Sequence, residues 1–66
     1  KNQTISNLRE AVKAGANLKD LVENYGVAGG LTVTEIYQNY NSAGSPYGPA
    51  KEKLSDIKQG KYTTEG

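Results

Sequence analysis

Two segments of this chain, fifteen residues apart, carry nearly the same pattern, and that pattern constrains most of what the chain can become. N-L-K-D-L-V-E-N-Y-G (17–26) and T-V-T-E-I-Y-Q-N-Y-N (32–41) each open on a helix-capping residue, Asn17 or Thr32. Each places a carboxylate three positions later, Asp20 or Glu35. At N-cap and N3 these side chains satisfy amides that the first helical turn leaves without partners, and negative charge there suits the helix dipole. Apolar groups then recur at i, i+3, i+4 and i+7: Leu18, Leu21, Val22, Tyr25 in one copy, and Val33, Ile36, Tyr37, Tyr40 in the other. Two one-sided helices follow. At roughly nine residues neither holds alone in water, so each must bury its stripe against something else.

The remaining chain supplies the partners. Thr4 or Ser6 is placed to cap a first helix over about 5–14, with Ile5, Leu8 and Val12 on one face. Gly15 is a natural left-handed C′ residue, and Lys13 lies in the last turn, where a cation suits the dipole. The second helix covers about 18–25 and is expected to end at Gly26 by the same device. V-A-G-G-L (27–31) returns the chain to Thr32, with Val27 and Leu31 expected to tuck into the core from either side of the glycines. A third helix covers about 33–40. N-S-A-G-S-P-Y-G-P (41–49) is the strongest loop signal in the chain and reads as an arm over 43–49. Pro49 is placed to start a fourth helix over about 50–59, whose apolar positions Ala50, Leu54 and Ile57 form a narrow stripe. Gly60 ends it, and a polar tail follows. The expected fold is all-α and a single domain: a three-helix cluster within 1–42, the Pro/Gly arm 43–49, and the fourth helix with its tail in 50–66.

Composition limits the core and the chemistry together. Of 66 residues 35% are apolar, and Phe, Trp, Met, Cys and His are all absent. A chain this small and polar commonly needs a disulfide, a metal or a partner surface to hold its fold. Without Cys or His the first two lose their ordinary ligands, which leaves a protein partner or a homo-oligomeric assembly as the expected staple. The same absences remove the commonest general base and the thiol nucleophile, so no enzymatic role, no cofactor and no metal is expected. Asp20 and Glu35 are explained by their capping positions, and Glu23 by a solvated face. No apolar run reaches membrane-spanning length. Lys1 stands first without an initiating Met, which suggests a processed product or an excerpt, and the compartment stays open. The net charge is only +1, yet all eight basic residues lie outside 20–50. A basic surface would therefore have to be assembled from both flanks.

One further arrangement points elsewhere. A helix closed by Gly15, then L-V-E-N-Y-G-V and T-V-T-E-I-Y-Q-N-Y, resembles over residues 5–41 the helix-turn-helix DNA-binding domain of invertases, resolvases and related transposases. The resemblance implies a third helix in the major groove, with Thr32 and Thr34 touching phosphate and Gln38, Asn39 and Asn41 available for base edges.

The tyrosines support the rival expectation. Tyr37 and Tyr40 on the third helix, and Tyr47 between Pro46 and Pro49, would form an amphipathic patch of the type that anchors protein interfaces. The leading expectation is thus a non-enzymatic accessory or structural subunit that docks onto a larger protein through Tyr37, Tyr40, Tyr47, Pro46 and Pro49. The alternative is a DNA-reading module.

Overall fold

A computed structural model describes residues 2–62 of the chain. Among them the fold is all-helical, with no strand. The polar tail from Thr63 onward and Lys1 lie outside the described residues.

The first helix, α1 (Asn2–Lys13), starts earlier than its capping signals imply, so Thr4 and Ser6 lie within it. It buries Leu8 and Val12 and half-buries Ile5. At its end the Gly15 N–H donates to the Val12 carbonyl and the Ala16 N–H to the Ala11 carbonyl. Gly15 takes φ +97°, so this is the left-handed double-bonded closure anticipated from the glycine. The next helix, α2 (Leu18–Leu21), starts on Asn17, whose side chain accepts from the Asp20 N–H at 2.8 Å. It then widens into a π-helical segment, Val22–Val27, which carries the chain past Gly26.

That widening overturns two expectations. Gly26 does not end the helix and does not adopt positive φ; the left-handed residue is Gly30, at φ +74°. The closure is correspondingly wide, with the Gly30 N–H donating to the Gly26 carbonyl and the Leu31 N–H to the Tyr25 carbonyl. A Cβ built at Gly26 would stand 3.4 Å from Cδ1 of Ile36, an ordinary contact. Gly29 is the glycine that packing requires. A Cβ there would be 2.6 Å from the Tyr25 carbonyl oxygen, so only glycine lets the corner close. Val27, expected in the core, is 90% exposed because the extra π-helical residue rotates it out of the apolar stripe; Leu31 is buried as expected.

Thr32 caps α3 (Val33–Ser42) with the reciprocal pair the sequence announces. The Glu35 N–H donates to Thr32 Oγ1 at 3.1 Å, and the Thr32 N–H donates to Glu35 Oε1 at 2.8 Å. The fourth helix, α4 (Leu54–Lys58), is shorter and later than the expected 50–59, and Pro49 lies upstream of it in the loop. The Ala50 N–H donates instead to Asn41 Oδ1 at 2.7 Å, which holds this segment against α3 in a non-helical path. Gly60, at φ +78°, closes α4 with the same double bond set as Gly15.

Helix α4 folds back, with Ile57 buried against the cluster of Leu8, Val12, Leu18, Leu21, Leu31, Ile36, Tyr40 and Ala43. The radius of gyration is 10.3 Å, close to the roughly 11 Å of a folded chain of this length. Scarcity of aliphatic residues is met by a tyrosine: Tyr40 is the largest fully buried side chain. No buried side-chain nitrogen or oxygen among the described residues lacks a hydrogen-bond partner.

Candidate functional site

The residues expected to face a partner separate into two groups. Tyr40 is buried completely, and its hydroxyl accepts from Ser45 Oγ at 3.4 Å, so it belongs to the core and cannot touch a partner while the fold is intact. The apolar ring compensates for the missing aliphatics, and the phenol tip finds its bond at the cluster's edge. Tyr37 is half-buried, with its hydroxyl donating to the Glu52 carbonyl at 2.7 Å; it ties α3 to the chain entering α4. Pro46, Tyr47 and Pro49 remain exposed, Tyr47 at 47%.

Tyr47 is held by local chemistry. Ser45-Pro46-Tyr47-Gly48 forms a turn in which the Gly48 N–H donates to the Ser45 carbonyl at 3.0 Å. Serine at the first position, proline at the second and glycine at the fourth are the preferences of a type I turn. Tyr47 does not take the positive φ that a type II turn demands at the third position. The Tyr47 N–H also donates to Ser45 Oγ at 3.1 Å, and Asn41 fixes the far side of the loop through Ala50. Residues 43–49 therefore do not extend as an arm. They fold back until the Tyr47 hydroxyl stands 3.4 Å, and Pro46 Cγ 3.8 Å, from where a Cβ on Gly15 would lie. The corner between α1 and α2 is the seat, and Tyr47 and Pro46 lie within ordinary van der Waals reach of the Gly15 Cβ position.

The residues that the helix-turn-helix resemblance marks for DNA are mostly engaged within the fold. Thr32 Oγ1 is the cap of α3. Asn39 Oδ1 accepts from Arg9 Nη1 at 3.0 Å while Asn39 Nδ2 donates to the Glu35 carbonyl at 2.8 Å. The same guanidinium donates to Ser42 Oγ at 3.0 Å, so Arg9 pins α1 to the C-terminal end of α3, where a cation suits the dipole. Asn41 Oδ1 is occupied by Ala50. Thr34 is half-buried and Gln38 is exposed.

Sequence reasoning missed the Gly15 seat, the Arg9 pin and the role of Glu52. The partners of the first two lie about thirty residues apart in sequence, beyond any local pattern. Glu52 is 5% exposed, and its neighbourhood reaches Tyr62. Burial pushes the Tyr62 phenol above its ordinary range, and the negative charges of Glu23 and Glu52 push it the same way. Among the described residues no group of three or more His, Cys, Asp or Glu is placed to hold a metal ion, and no helix is long and apolar enough to cross a membrane. Comparison with protein-family models, with curated proteins and with solved structures returns no match.

Proposed function

We propose that this chain acts without catalysis of its own, by docking onto a larger protein through the Ser45–Pro49 loop. The observation that carries the reading is Tyr47. It is an exposed aromatic on a turn held by its own hydrogen bonds and flanked by two exposed prolines. An aromatic already fixed in position loses little conformational freedom on binding, and such residues dominate protein interfaces. The exposed Val27 belongs to a different place. Gly29, two residues on, packs on Thr4 near the start of α1, whereas Tyr47 sits beyond its end, about 16 Å away along the helix.

DNA reading has less support from the same geometry. Its base-contacting set is reduced to Gln38 by bonds within the fold, and α3 carries no Lys or Arg to neutralise phosphate. A photo-crosslinking residue tests the docking reading, with Tyr47→benzoylphenylalanine compared against the same substitution at Gln3, which is exposed on α1. Position 47 should give a discrete adduct that protease removes and nuclease does not, and Pro46→Ala with Pro49→Ala should weaken it. Equal yields from both positions, or a nuclease-sensitive adduct, would refute it.

A further inference from the structure

The turn that carries Tyr47 hangs on one hydroxyl. Ser45 Oγ donates to the Tyr40 hydroxyl at 3.4 Å and accepts from the Tyr47 N–H at 3.1 Å, while the Ser45 carbonyl accepts from the Gly48 N–H at 3.0 Å. One serine therefore joins the exposed aromatic to the buried one. Its place in the chain is also chemically distinctive. Among the described residues Thr4 and Ser6 lie in α1, Thr34 and Ser42 in α3 and Ser55 in α4, and Thr32 is the cap of α3. Ser45 is the remaining Ser or Thr, and it stands in a loop between exposed Gly44 and exposed Pro46. Proline at the next position drives Ser45 toward extended backbone and offers no N–H that an enzyme's cleft would have to satisfy. A proline-directed protein kinase reads that arrangement, a hydroxyl on an extended segment with proline directly after it.

Building on the docking reading, we infer that Ser45 is a phosphorylation site, and that its phosphate releases Tyr47 from the corner between α1 and α2 and so switches docking off. The γ-phosphoryl group of ATP passes to Ser45 Oγ. The Oγ–P bond forms, the bond from that phosphorus to the β,γ-bridging oxygen breaks, ADP leaves with the electron pair, and the hydroxyl proton passes to the kinase's general base. The resulting ester oxygen has no proton to give Tyr40. The phosphate also brings a charge of about −1.5 to −2 and three further oxygens to a half-buried side chain beside a wholly buried ring. Water solvates that charge far better than the edge of an apolar core does, so the group moves outward and takes the turn with it. Tyr47 then loses both its bond to Ser45 and its fixed position, which is what lowered the cost of binding.

The test uses the full chain, a proline-directed Ser/Thr kinase and Mg-ATP. One phosphoryl group should be incorporated, map to Ser45 by mass spectrometry, be absent from Ser45→Ala and be largely lost from Pro46→Ala. In the modified chain the Tyr47 and Gly48 amides should exchange roughly tenfold faster, the worth of one lost hydrogen bond, with α1 and α2 unchanged. Circular dichroism should show the helices intact in every form. No incorporation, phosphate on Ser42 or Ser55 in place of Ser45, unchanged or slower exchange at Tyr47, or loss of all helices on modification would overturn the inference. The two claims fail separately. Crosslinks from position 47 that persist at full yield in the phosphorylated chain preserve docking and remove the switch, whereas their absence from the unmodified chain removes docking itself.

Discussion

The Tyr37 hydroxyl donates to the carbonyl oxygen of Glu52 across 2.7 Å, and that bond ties α3 to the chain entering α4. It explains why a fourth helix of only five residues keeps its place: Ile57 supplies the apolar contact and Tyr37 fixes the approach. Tyr37→Phe should lower stability by about 1 kcal/mol, because the ring still packs while the carbonyl loses its donor. Hydrogen exchange should accelerate over 53–60 and stay unchanged in α1. A uniform acceleration across all helices would mean that the bond does not act locally.

Tyr40 and Tyr47 should part company on truncation. Tyr40→Ala removes the largest fully buried side chain, at a cost of about 3 to 5 kcal/mol, which is most of the stability available to a small domain. Tyr47→Ala should cost about 1 kcal/mol or less, since the ring is half in solvent and rests on a glycine. Urea midpoints of the two variants decide the matter, and similar losses would contradict the division.

Gly29 and Gly30 are adjacent and should respond differently. At Gly30 a Cβ meets open space, and only its φ of +74° penalises alanine, by about 1 to 2 kcal/mol. At Gly29 the Cβ would lie 2.6 Å from the Tyr25 carbonyl oxygen and 2.9 Å from its Cα, so the backbone itself must move, at about 3 kcal/mol. Thermal unfolding should rank Gly29→Ala below Gly30→Ala, and the reverse order would show that the corner opens easily.

Thr32→Ala should cost about 1 kcal/mol, whereas Thr32→Ser should come close to the parent, because the cap needs the hydroxyl and not the methyl. Chemical denaturation of the pair measures it. A serine variant as weak as alanine would assign the effect to packing.

Stability should also fall at alkaline pH in a way that Tyr62 controls. Its phenol is raised above the ordinary value of 10.0 by burial first, then by Glu23 and Glu52, so the folded chain holds that proton more tightly than the unfolded chain. The stabilisation is therefore complete below the ordinary phenol range and disappears as pH rises through the higher folded value. Tyr62→Phe, which has no proton to lose, should flatten the alkaline limb and leave neutral-pH stability near that of the parent. An unchanged limb would place the alkaline loss on other groups.

Legibility in the sequence followed range of interaction. Asn17, Thr32, Gly15 and Gly60 were readable because caps and left-handed closures are decided within five or six residues. Gly26 misled for the same reason: an aromatic-glycine pair resembles a helix end, and nothing local announces the wider π-helical turn that moves the closure to Gly30 and turns Val27 outward. Of the tyrosine patch, Tyr47, Pro46 and Pro49 are exposed and Tyr37 is half-buried, while Tyr40 lies wholly in the core.

By itself the order of residues determined that this chain is helical, where three of its helices lie, and that ordinary thiol or imidazole chemistry is closed to it. Those outcomes depend on neighbours along the backbone and on which side chains exist at all. Only the tertiary structure decided which tyrosine fills the interior and which faces out, that α4 returns to the cluster, and that the 45–48 turn folds back onto the corner between α1 and α2. Each of these depends on pairing groups distant in sequence, such as Gly15 with Tyr47 or Arg9 with Asn39, and their meeting is fixed by packing geometry rather than by any signal carried in a short stretch of chain.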